Sequence, residues 1–486
     1  MVSNENPMPR TNDQEKPTDQ LTSRIAAALA NEVLPELPNL SAEEAEQALT
    51  LEDRQALSAL GSSKEFAQRI FAQMSESDPR RSYISTCQAE LDETVDGPSM
   101  AKSDGPGVPG LAELNYRMQQ VETEPRISLK ACYRKIRELG RGFQGVVYLT
   151  EDGNEVGGEP ANVDEWTGKQ ALKIFSPSHY SSADAYREEM QEMSRVASVI
   201  HPIHPDNLIH VQRFFKYQGI YMMVTQAIDG LDLQRLLNPA LLDVLRKSVD
   251  EQRWKTLDTV IYSRRSEDRI GLQPLMAVTI IEKCLRGLGV LHKNGIVHGD
   301  IKPSNIMLDR YGSIRLIDIG SAHGYETTRQ RTWTPKYAPP EFLEDGTWTP
   351  QSDLASLGYV LVELLSGQSD LGTPTIGNES AKDVNRERDR VLREAKMCLP
   401  DRLLDLLPPN VARCSQLVQL CQKLIDPNPN NRFADAAEAL SNNSNGAWDF
   451  RMEIIRCRLN VHEPTAIEEW MDNVMNVAPQ IRATAS

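Results

Sequence analysis

Polar and charged residues of complementary types lie close together in one region of the sequence. Asp300 is followed by Lys302 and Asn305, and Asp318 comes after a short apolar run. A carboxylate can orient a hydroxyl group and take its proton, while an amide and a second carboxylate offer hard oxygen ligands for a cation such as Mg²⁺. The spacing therefore predicts a site that orients a hydroxyl group and holds magnesium beside phosphate groups.

A glycine-rich turn precedes this region. The run that begins at Tyr133 ends at Gly140, Gly142 and Gly145 and continues into apolar, β-branched residues, which predicts two strands joined by the turn. In a dinucleotide-binding fold a similar glycine spacing opens a helix instead. Because glycine has no Cβ, the backbone of such a hairpin could fold over phosphate groups. An ordinary hairpin is the alternative that the glycines alone leave open.

Strand-like segments come first along the chain and helix-like segments follow. Strands are predicted at 170–175 and 221–225, a first helix at 185–196, and the longest amphipathic helix at 275–293. Further helices are predicted at 352–366, 415–425 and 434–440. This order predicts an α+β, bilobal fold with a small β-rich N-lobe, a larger helical C-lobe and a ligand cleft between them.

The distribution of polar and apolar residues divides the 486-residue chain into segments. The first residues are too polar to bury a core, whereas Gly and Pro are closely spaced before the first strand. We predict disorder at 1–22, short helices of unknown role at 23–76, a linker at 77–128, the two-lobed domain at 129–445 with its N-lobe at 129–226 and its C-lobe at 231–445, and a C-terminal helical extension at 446–486.

Composition narrows the classes of partner. The net charge of −16 argues against binding nucleic acid by phosphate neutralisation, which needs a basic face. No apolar run of about 18 residues occurs, and the N-terminus lacks the apolar stretch of a signal peptide, so we expect a cytoplasmic protein with no membrane span. The seven cysteines are scattered and contain no C-x-x-C pair, which argues against a disulfide framework or a zinc site.

Taken in order, these motifs resemble the eukaryotic-type Ser/Thr protein kinase family. The resemblance extends from about Tyr133 to Leu440 and rests on the glycine turn, Ala171-Leu172-Lys173, His298-Gly299-Asp300-Ile301-Lys302-Pro303-Ser304-Asn305 and Asp318-Ile319-Gly320. It implies transfer of the γ-phosphate of ATP to Ser or Thr hydroxyls of a protein substrate. The cofactors implied are ATP and Mg²⁺, with Mn²⁺ as an alternative.

The resemblance also implies roles for individual residues. Asp300 would orient the acceptor hydroxyl, and Lys302 would lie near the transferred phosphate. Lys173 would bind phosphate oxygens and pair with a helix glutamate, for which we choose Glu189 over its neighbour Glu188.

The nucleotide and metal sites follow from the same resemblance. Asn305 and Asp318 would bind the metal. Thr225 matches the gatekeeper position, Gln226 and Ala227 the hinge, and Asp232 a contact to the ribose. The implied cofactor-binding residues are Gly140, Gly142, Gly145, Val147, Ala171, Lys173, Thr225, Gln226, Ala227, Asp232 and Met307.

Other residues match positions that support the catalytic loop in the family. Thr334 is expected near the catalytic base, and Glu341 is expected to pair with Arg432. Asp353 is expected to hold the backbone of the catalytic loop. These expectations concern the fold more than the chemistry.

Two departures from the family pattern affect the functional interpretation. Gly299 stands where the family commonly has an arginine that binds a phosphorylated activation loop, so we predict activity that does not depend strongly on phosphorylation of Thr327, Thr328 or Thr332. The stretch 236–273 is longer than usual and, like the flanking segments, could bind a regulatory partner. A catalytically weak or inactive kinase-like scaffold is the main alternative function, and a small-molecule kinase is a third.

Overall fold

A six-stranded antiparallel sheet forms the N-lobe, in the strand order β1-β2-β3-β4-β6-β5. The computed structural model describes residues 109–128, 132–152, 168–203, 205–266, 269–325, 333–368, 382–441 and 465–484. The predictions of disorder at 1–22 and of short helices at 23–76 lie outside these residues. The strands of the sheet are β1 (Arg126–Ser128), β2 (Cys132–Gly142), β3 (Gly145–Asp152), β4 (Gln170–Phe175), β5 (Val211–Tyr217) and β6 (Ile220–Gln226).

The register of this sheet groups four of the predicted nucleotide-site residues. Val147 pairs with Lys173, and Ala171 pairs with Thr225. Paired residues of an antiparallel sheet share a face, as do alternate residues of one strand, so all four side chains lie on one face. On the opposite face Leu172 is fully buried in the hydrophobic core.

Two helices pack on the sheet. Helix α1 (Leu111–Thr123) buries Leu114, Met118 and Val121, and β1 then pairs with β2. This corrects the predicted linker at 77–128 over its described part. The density of Gly and Pro ends at Gly110, and the apolar spacing that follows it is helical. Helix α2 (Ala183–Ile200) is capped by Ser182, whose side chain accepts a hydrogen bond from the backbone of Ala185.

The C-lobe is built mainly from helices and agrees with the predicted order of elements. The long helix predicted at 275–293 is α6, and its apolar stripe is buried. The helices that follow α2 are α3 (Leu233–Leu236), α4 (Pro239–Ser248), α5 (Glu251–Val260), α6 (Pro274–Lys293), α7 (Pro340–Asp345), α8 (Pro350–Ser366), α9 (Lys382–Met397), α10 (Leu399–Leu406), α11 (Pro409–Ala412), α12 (Ser415–Ile425), α13 (Ala436–Leu440) and α14 (Thr465–Thr484).

Short strands border the cleft on the C-lobe side. One sheet has the order β12-β11-β7, and β10 pairs separately with β13. The strands are β7 (Gly230–Asp232), β8 (Tyr262–Ser266), β9 (Arg269–Leu272), β10 (Ile296–Val297), β11 (Ile306–Asp309), β12 (Ile314–Leu316) and β13 (His323–Gly324). The catalytic-loop residues therefore lie between β10 and β11, and Asp318 lies between β12 and β13.

The long stretch 236–273 and the C-terminal extension pack together. The stretch forms α4, α5 and the β8–β9 hairpin, and the indole N–H of Trp470 in α14 donates to the hydroxyl of Tyr262 at 2.7 Å. Trp470 is fully buried. The apolar face of α14 thus belongs to the C-lobe core. Of the helices described, none is both long and apolar enough to cross a membrane.

Candidate active site

Three side chains surround one carboxylate of the catalytic loop, that of Asp300. Lys302 Nζ lies 2.5 Å from Asp300 Oδ2 and donates to Thr334 Oγ1 at 2.9 Å. Thr334 Oγ1 donates to Asp300 Oδ1 at 2.7 Å. Asn305 Nδ2 donates to the Asp300 carbonyl oxygen at 2.8 Å and to Oδ2 at 3.2 Å. Both carboxylate oxygens of Asp300 are therefore fixed in direction, and the expected position of Thr334 is confirmed.

A buried carboxylate beneath the loop fixes its backbone. Asp353, in α8, has no exposed surface and accepts the backbone N–H groups of His298 at 2.7 Å and Gly299 at 3.0 Å. It also accepts from the indole of Trp348 at 2.9 Å and lies 3.0 Å from His292 Nε2. Burial alone would raise the pKa of Asp353, but its hydrogen bonds and attraction to His292 and His298 together lower the pKa overall. The expected bracing role is confirmed.

The second carboxylate of the site, Asp318, lies in a strained backbone conformation. Its φ of 59° is left-handed, and its Oδ1 accepts the N–H of Gly320 at 3.1 Å. Lys173 Nζ contacts the same Oδ1. Burial opposes ionisation of Asp318, but the charge and hydrogen bond of Lys173 lower its pKa overall. The ionised form of Asp318 is therefore the favoured one, which suits a metal ligand.

The predicted magnesium ligands present suitable oxygen atoms. Because Asn305 Nδ2 is held by Asp300, the amide oxygen is the atom left to bind a cation. Asp318 Oδ2 has no hydrogen bond to any residue that the structure describes. No group of three His, Cys, Asp or Glu side chains suited to a metal occurs within the described ranges. An amide and a carboxylate oxygen fit Mg²⁺, which keeps water and phosphate ligands, better than zinc.

The partners of Lys173 differ from those that the sequence predicts. Instead of pairing with Glu189, Lys173 Nζ contacts Asp318 and also donates to Gln144 Oε1 at 2.7 Å. Gln144 lies at the tip of the glycine turn, and its Nε2 donates to Ser321 Oγ at 3.1 Å. The glycine turn of the N-lobe is thus hydrogen-bonded to the segment that follows Asp318.

The most buried glutamate of α2 is one that sequence reasoning missed. Glu192 is 4% exposed, accepts the N–H of Gly324 at 3.3 Å and pairs with Arg195. Glu188 and Glu189 lie on the preceding turn and are more exposed. The rotation of the helix decides which glutamate faces the cleft, and the sequence does not determine that rotation. The one signal was that Glu192 lies four residues before the buried Val196.

The three glycines of the turn are not equivalent. Gly145 has φ of +142°, and an added Cβ would collide with the carbonyl oxygen of Ile174. At Gly140 and Gly142 an added Cβ would meet nothing within 4 Å. Packing therefore requires glycine only at Gly145, and close approach of a ligand would be the reason for the other two.

The strand register also pairs a predicted adenine contact with the predicted ribose contact. Met307 pairs with Asp232 across β11 and β7. Asp232 caps α3 by accepting the N–H of Arg235 at 2.9 Å, and its Oδ2 lies 3.3 Å from Arg235 Nε. Burial raises the pKa of Asp232 despite these contacts. Gln226 ends β6 at the connection between the lobes, and Ala227 follows it.

Packing requires a glycine at position 299, in addition to the loss of positive charge that follows from the missing arginine. Its φ is +77°, and an added Cβ would lie 2.7 Å from the carbonyl oxygen of Ser321. His323 Nδ1 lies 2.9 Å from the same oxygen. The catalytic loop therefore packs directly against the start of the activation segment. The threonines of that segment, Thr327, Thr328 and Thr332, lie outside the described residues.

The end of the activation segment is anchored by a buried ion pair. Arg432 has a fully buried side chain and makes two hydrogen bonds to Glu341, at 2.7 and 2.9 Å. Ser352 also donates to Glu341, at 2.9 Å. The predicted Glu341–Arg432 pair is confirmed.

A β-rich lobe and a helical lobe that enclose this cleft define a kinase-like protein, and comparison with known proteins agrees. Residues 133–443 match the family model described as the protein kinase domain. The chain belongs to the protein kinase family.

The curated relatives include bacterial Ser/Thr kinases. The chain is 26% identical to the serine/threonine-protein kinase PrkC of Bacillus subtilis over 49% of this chain and 30% of PrkC. It is 25% identical to PkaA of Streptomyces coelicolor over 54% of this chain and 43% of PkaA. It is 31% identical to PknL of Mycobacterium tuberculosis over 35% of this chain and 40% of PknL. The chain therefore spans less than half the length of each of these relatives.

Among solved structures, the kinase domain of Mycobacterium tuberculosis PknI aligns with 68% of this chain and 98% of that chain. The TM-score is 0.42 and the sequence identity is 17%.

Proposed function

We propose that the protein is an ATP-dependent Ser/Thr protein kinase that transfers the γ-phosphate of ATP to protein hydroxyls. The observation that carries the proposal is the hydroxyl of Thr334, which donates to Asp300 and accepts from Lys302. A Ser or Thr acceptor needs the same two contacts. Asp300 would orient the acceptor hydroxyl and take its proton, and Lys302 would stabilise the negative charge that develops on the transferred phosphate.

The glycine-turn side would hold the nucleotide. Lys173 is the cation for the phosphate oxygens, and Val147, Ala171 and Met307 would contact the adenine ring. The hinge at Gln226 and Ala227 would bind adenine through backbone groups, next to the gatekeeper Thr225, and Asp232 would bind the ribose. The pairing of Val147 with Lys173 and of Ala171 with Thr225 puts four of these side chains on one face of the sheet, which supports a common ligand.

Asn305 and Asp318 would bind Mg²⁺, or Mn²⁺ in its place, through their oxygen atoms. When bound, the metal would neutralise charge on the phosphates. Asn305 also holds Asp300 through its amide nitrogen. The same residue would therefore link the position of the base to that of the metal.

Glu189 keeps its proposed role as the helix partner of Lys173, and Glu192 is a second candidate because it is buried near the cleft. Pairing with either would require Lys173 to exchange Asp318 or Gln144 for a glutamate. The catalytically weak scaffold is the competing function. The observation that favours it is that Gln144 and Asp318 take up Lys173.

The activity is proposed not to need phosphorylation of the activation loop. Direct packing of Gly299 against Ser321 supports this, because it joins the two segments without an arginine. The proposed cytoplasmic location and the lack of a nucleic-acid partner rest on composition alone. A regulatory partner at 236–273 or at the flanking segments also stays a proposal.

The test is transfer of radiolabelled phosphate from ATP to a generic basic protein by the full chain. We expect transfer by the parent and its loss, by about a hundredfold or more, in Asp300→Ala, because a general base contributes at least that much. Lys173→Met should also lose transfer. Equal transfer by the parent and Asp300→Ala would sink the catalytic proposal. A parent that binds ATP without any transfer would favour the scaffold.

A further inference from the structure

Lys396 is a buried lysine outside the residues that would contact the nucleotide or the acceptor hydroxyl. It lies in the last turn of α9 and is 3% exposed. Its ammonium donates to the carbonyl oxygens of Lys336 at 2.7 Å and Ala338 at 2.6 Å. The third side of the ammonium lies 4.2 Å from the centre of the Tyr359 ring. The ammonium group of Lys396 therefore contacts segment 336–338 through two hydrogen bonds and α8 through the Tyr359 ring.

Burying a positive charge at this position costs desolvation free energy. Lys396 forms no ion pair with a carboxylate among the described residues. Burial lowers the pKa of its ammonium, and the attraction of Glu341 only partly offsets this. Leu392 and Leu399, one turn before and just after Lys396, are buried apolar residues. A side chain whose only task was to fill the core here would be apolar, so the two carbonyl oxygens give the lysine its specific role.

Those carbonyl oxygens belong to a segment whose backbone is fixed at each residue. The carbonyl of Tyr337, between the two that Lys396 binds, accepts from Ser356 Oγ at 2.8 Å. Three consecutive carbonyl oxygens are therefore held from the helices behind them. The fixed segment begins just after Thr334, whose hydroxyl contacts Asp300.

A protein acceptor has to approach Asp300 past this segment. Its hydroxyl would take the place that Thr334 Oγ1 borders, and its chain would run beside 335–338. The shape of that surface depends on where the three carbonyls point. Tyr337 and Ala338 are themselves buried, so the half-buried residues 334–336 are the part of this surface that an acceptor could contact.

We propose that Lys396 is a positioning residue for the protein substrate, which fixes segment 336–338 through two carbonyl oxygens and so sets the surface beside Asp300. The inference rests on the proposed kinase function. It concerns the acceptor and not ATP, because Lys396 contacts 336–338 and Tyr359 and none of the residues proposed to bind the nucleotide.

The test is steady-state kinetics of the full chain with ATP and a generic basic protein, each varied in turn. Lys396→Met keeps the length of the side chain but removes its donors. We expect KM for the acceptor to rise about tenfold, as for the loss of hydrogen bonds from a charged donor. KM for ATP should stay within about twofold, because the substitution removes no contact to the residues proposed to bind the nucleotide. Arg390→Met is the matched control on the exposed face of the same helix and should change neither constant.

The two KM values separate positioning from a merely structural role. If both rise together with a fall in Tm, or if KM for the acceptor is unchanged, the inference is wrong. Should Lys396→Met fail to fold, Lys396→Gln takes its place; its shorter, uncharged amide would bind the two carbonyl oxygens less well, so it must raise KM for the acceptor selectively. A parent without transfer activity would instead overturn the proposed function.

Discussion

The two sides of the cleft differ in what holds their charged groups. On the catalytic-loop side, Asp353 has no exposed surface and binds two backbone amides of the loop. On the glycine-turn side, Lys173 is held by side chains of two loops, Asp318 and Gln144. The first arrangement is set by packed helices, whereas the second depends on contacts that a ligand competes for.

This difference separates geometry that exists before binding from geometry that binding must complete. Hydrogen bonds to Asp353, in a buried helix, fix the loop backbone just before Asp300 without help from a substrate. The phosphate-binding cation Lys173 already has partners, and a nucleotide would have to replace at least one. Preorganisation is therefore greatest where the proton transfer would occur.

The largest expected effect is at Asp353. Asp353→Ala should lower the free energy of unfolding by about 3–5 kcal/mol, because it leaves buried donors without their carboxylate. Lys173→Met should cost about 1 kcal/mol or less, since its partner is partly exposed. Denaturant unfolding of both variants, with the exposed Asp243→Ala as a control, measures this. Equal losses of unfolding free energy in Asp353→Ala and Lys173→Met would contradict the difference proposed between the two sides of the cleft.

The lowered pKa of Asp353 also predicts a pH dependence. Because the folded protein favours the ionised carboxylate, its contribution to stability is present above the unfolded pKa of about 3.9 and is lost as the pH falls through and below that value. The stability difference between the parent and Asp353→Asn should therefore shrink under acid conditions. Unfolding measured from neutral to acid pH tests the sign, and a difference that grows on acidification would contradict it.

A smaller effect is expected from Gly299→Ala, and the chain offers a matched control. Gly299 and Gly346 have nearly equal φ, +77° and +78°, but an added Cβ meets Ser321 only at Gly299. Backbone strain alone should cost both variants about 1–2 kcal/mol. Gly299→Ala should cost more and should also reduce phosphoryl transfer. If both variants unfold and react alike, the contact between the loop and Ser321 is unimportant.

On the glycine-turn side, Gln144→Ala should strengthen a function, the binding of ATP, whereas the preceding substitutions weaken stability or activity. Removing the amide frees Lys173 from a competing acceptor, so the affinity for ATP should rise by a few-fold, roughly the worth of one hydrogen bond. Equilibrium titration with ATP measures the Kd. Phe143→Ala at the adjacent exposed position is the control. Weaker binding by Gln144→Ala would mean that the amide contacts the nucleotide itself.

The catalytic-loop side was predictable from the sequence because its residues are close in the chain. The spacing of Asp300, Lys302 and Asn305 on one short loop leaves few possible arrangements. The family resemblance then supplied Thr334 and Asp353, and both expectations are confirmed by hydrogen bonds.

The glycine-turn side was less predictable because it depends on contacts between distant segments. The contact of Gln144 with Ser321 joins residues far apart in the chain, and no local pattern encodes it. The choice among the glutamates of α2 depends on helix rotation, so Glu189 was chosen and the buried Glu192 was missed. Helix α1 was assigned to a linker because its short apolar stripe follows a region rich in Gly and Pro.

We propose that packing at Gly299, and not a phosphate bound by an arginine, positions the start of the activation segment. The most direct measurement compares phosphoryl transfer by phosphatase-treated parent protein and by a variant with alanine at Thr327, Thr328 and Thr332. We expect both to keep activity within about twofold of the untreated parent, since no arginine at 299 is present to order a phosphate. Loss of activity as severe as that of Asp300→Ala would contradict the claim.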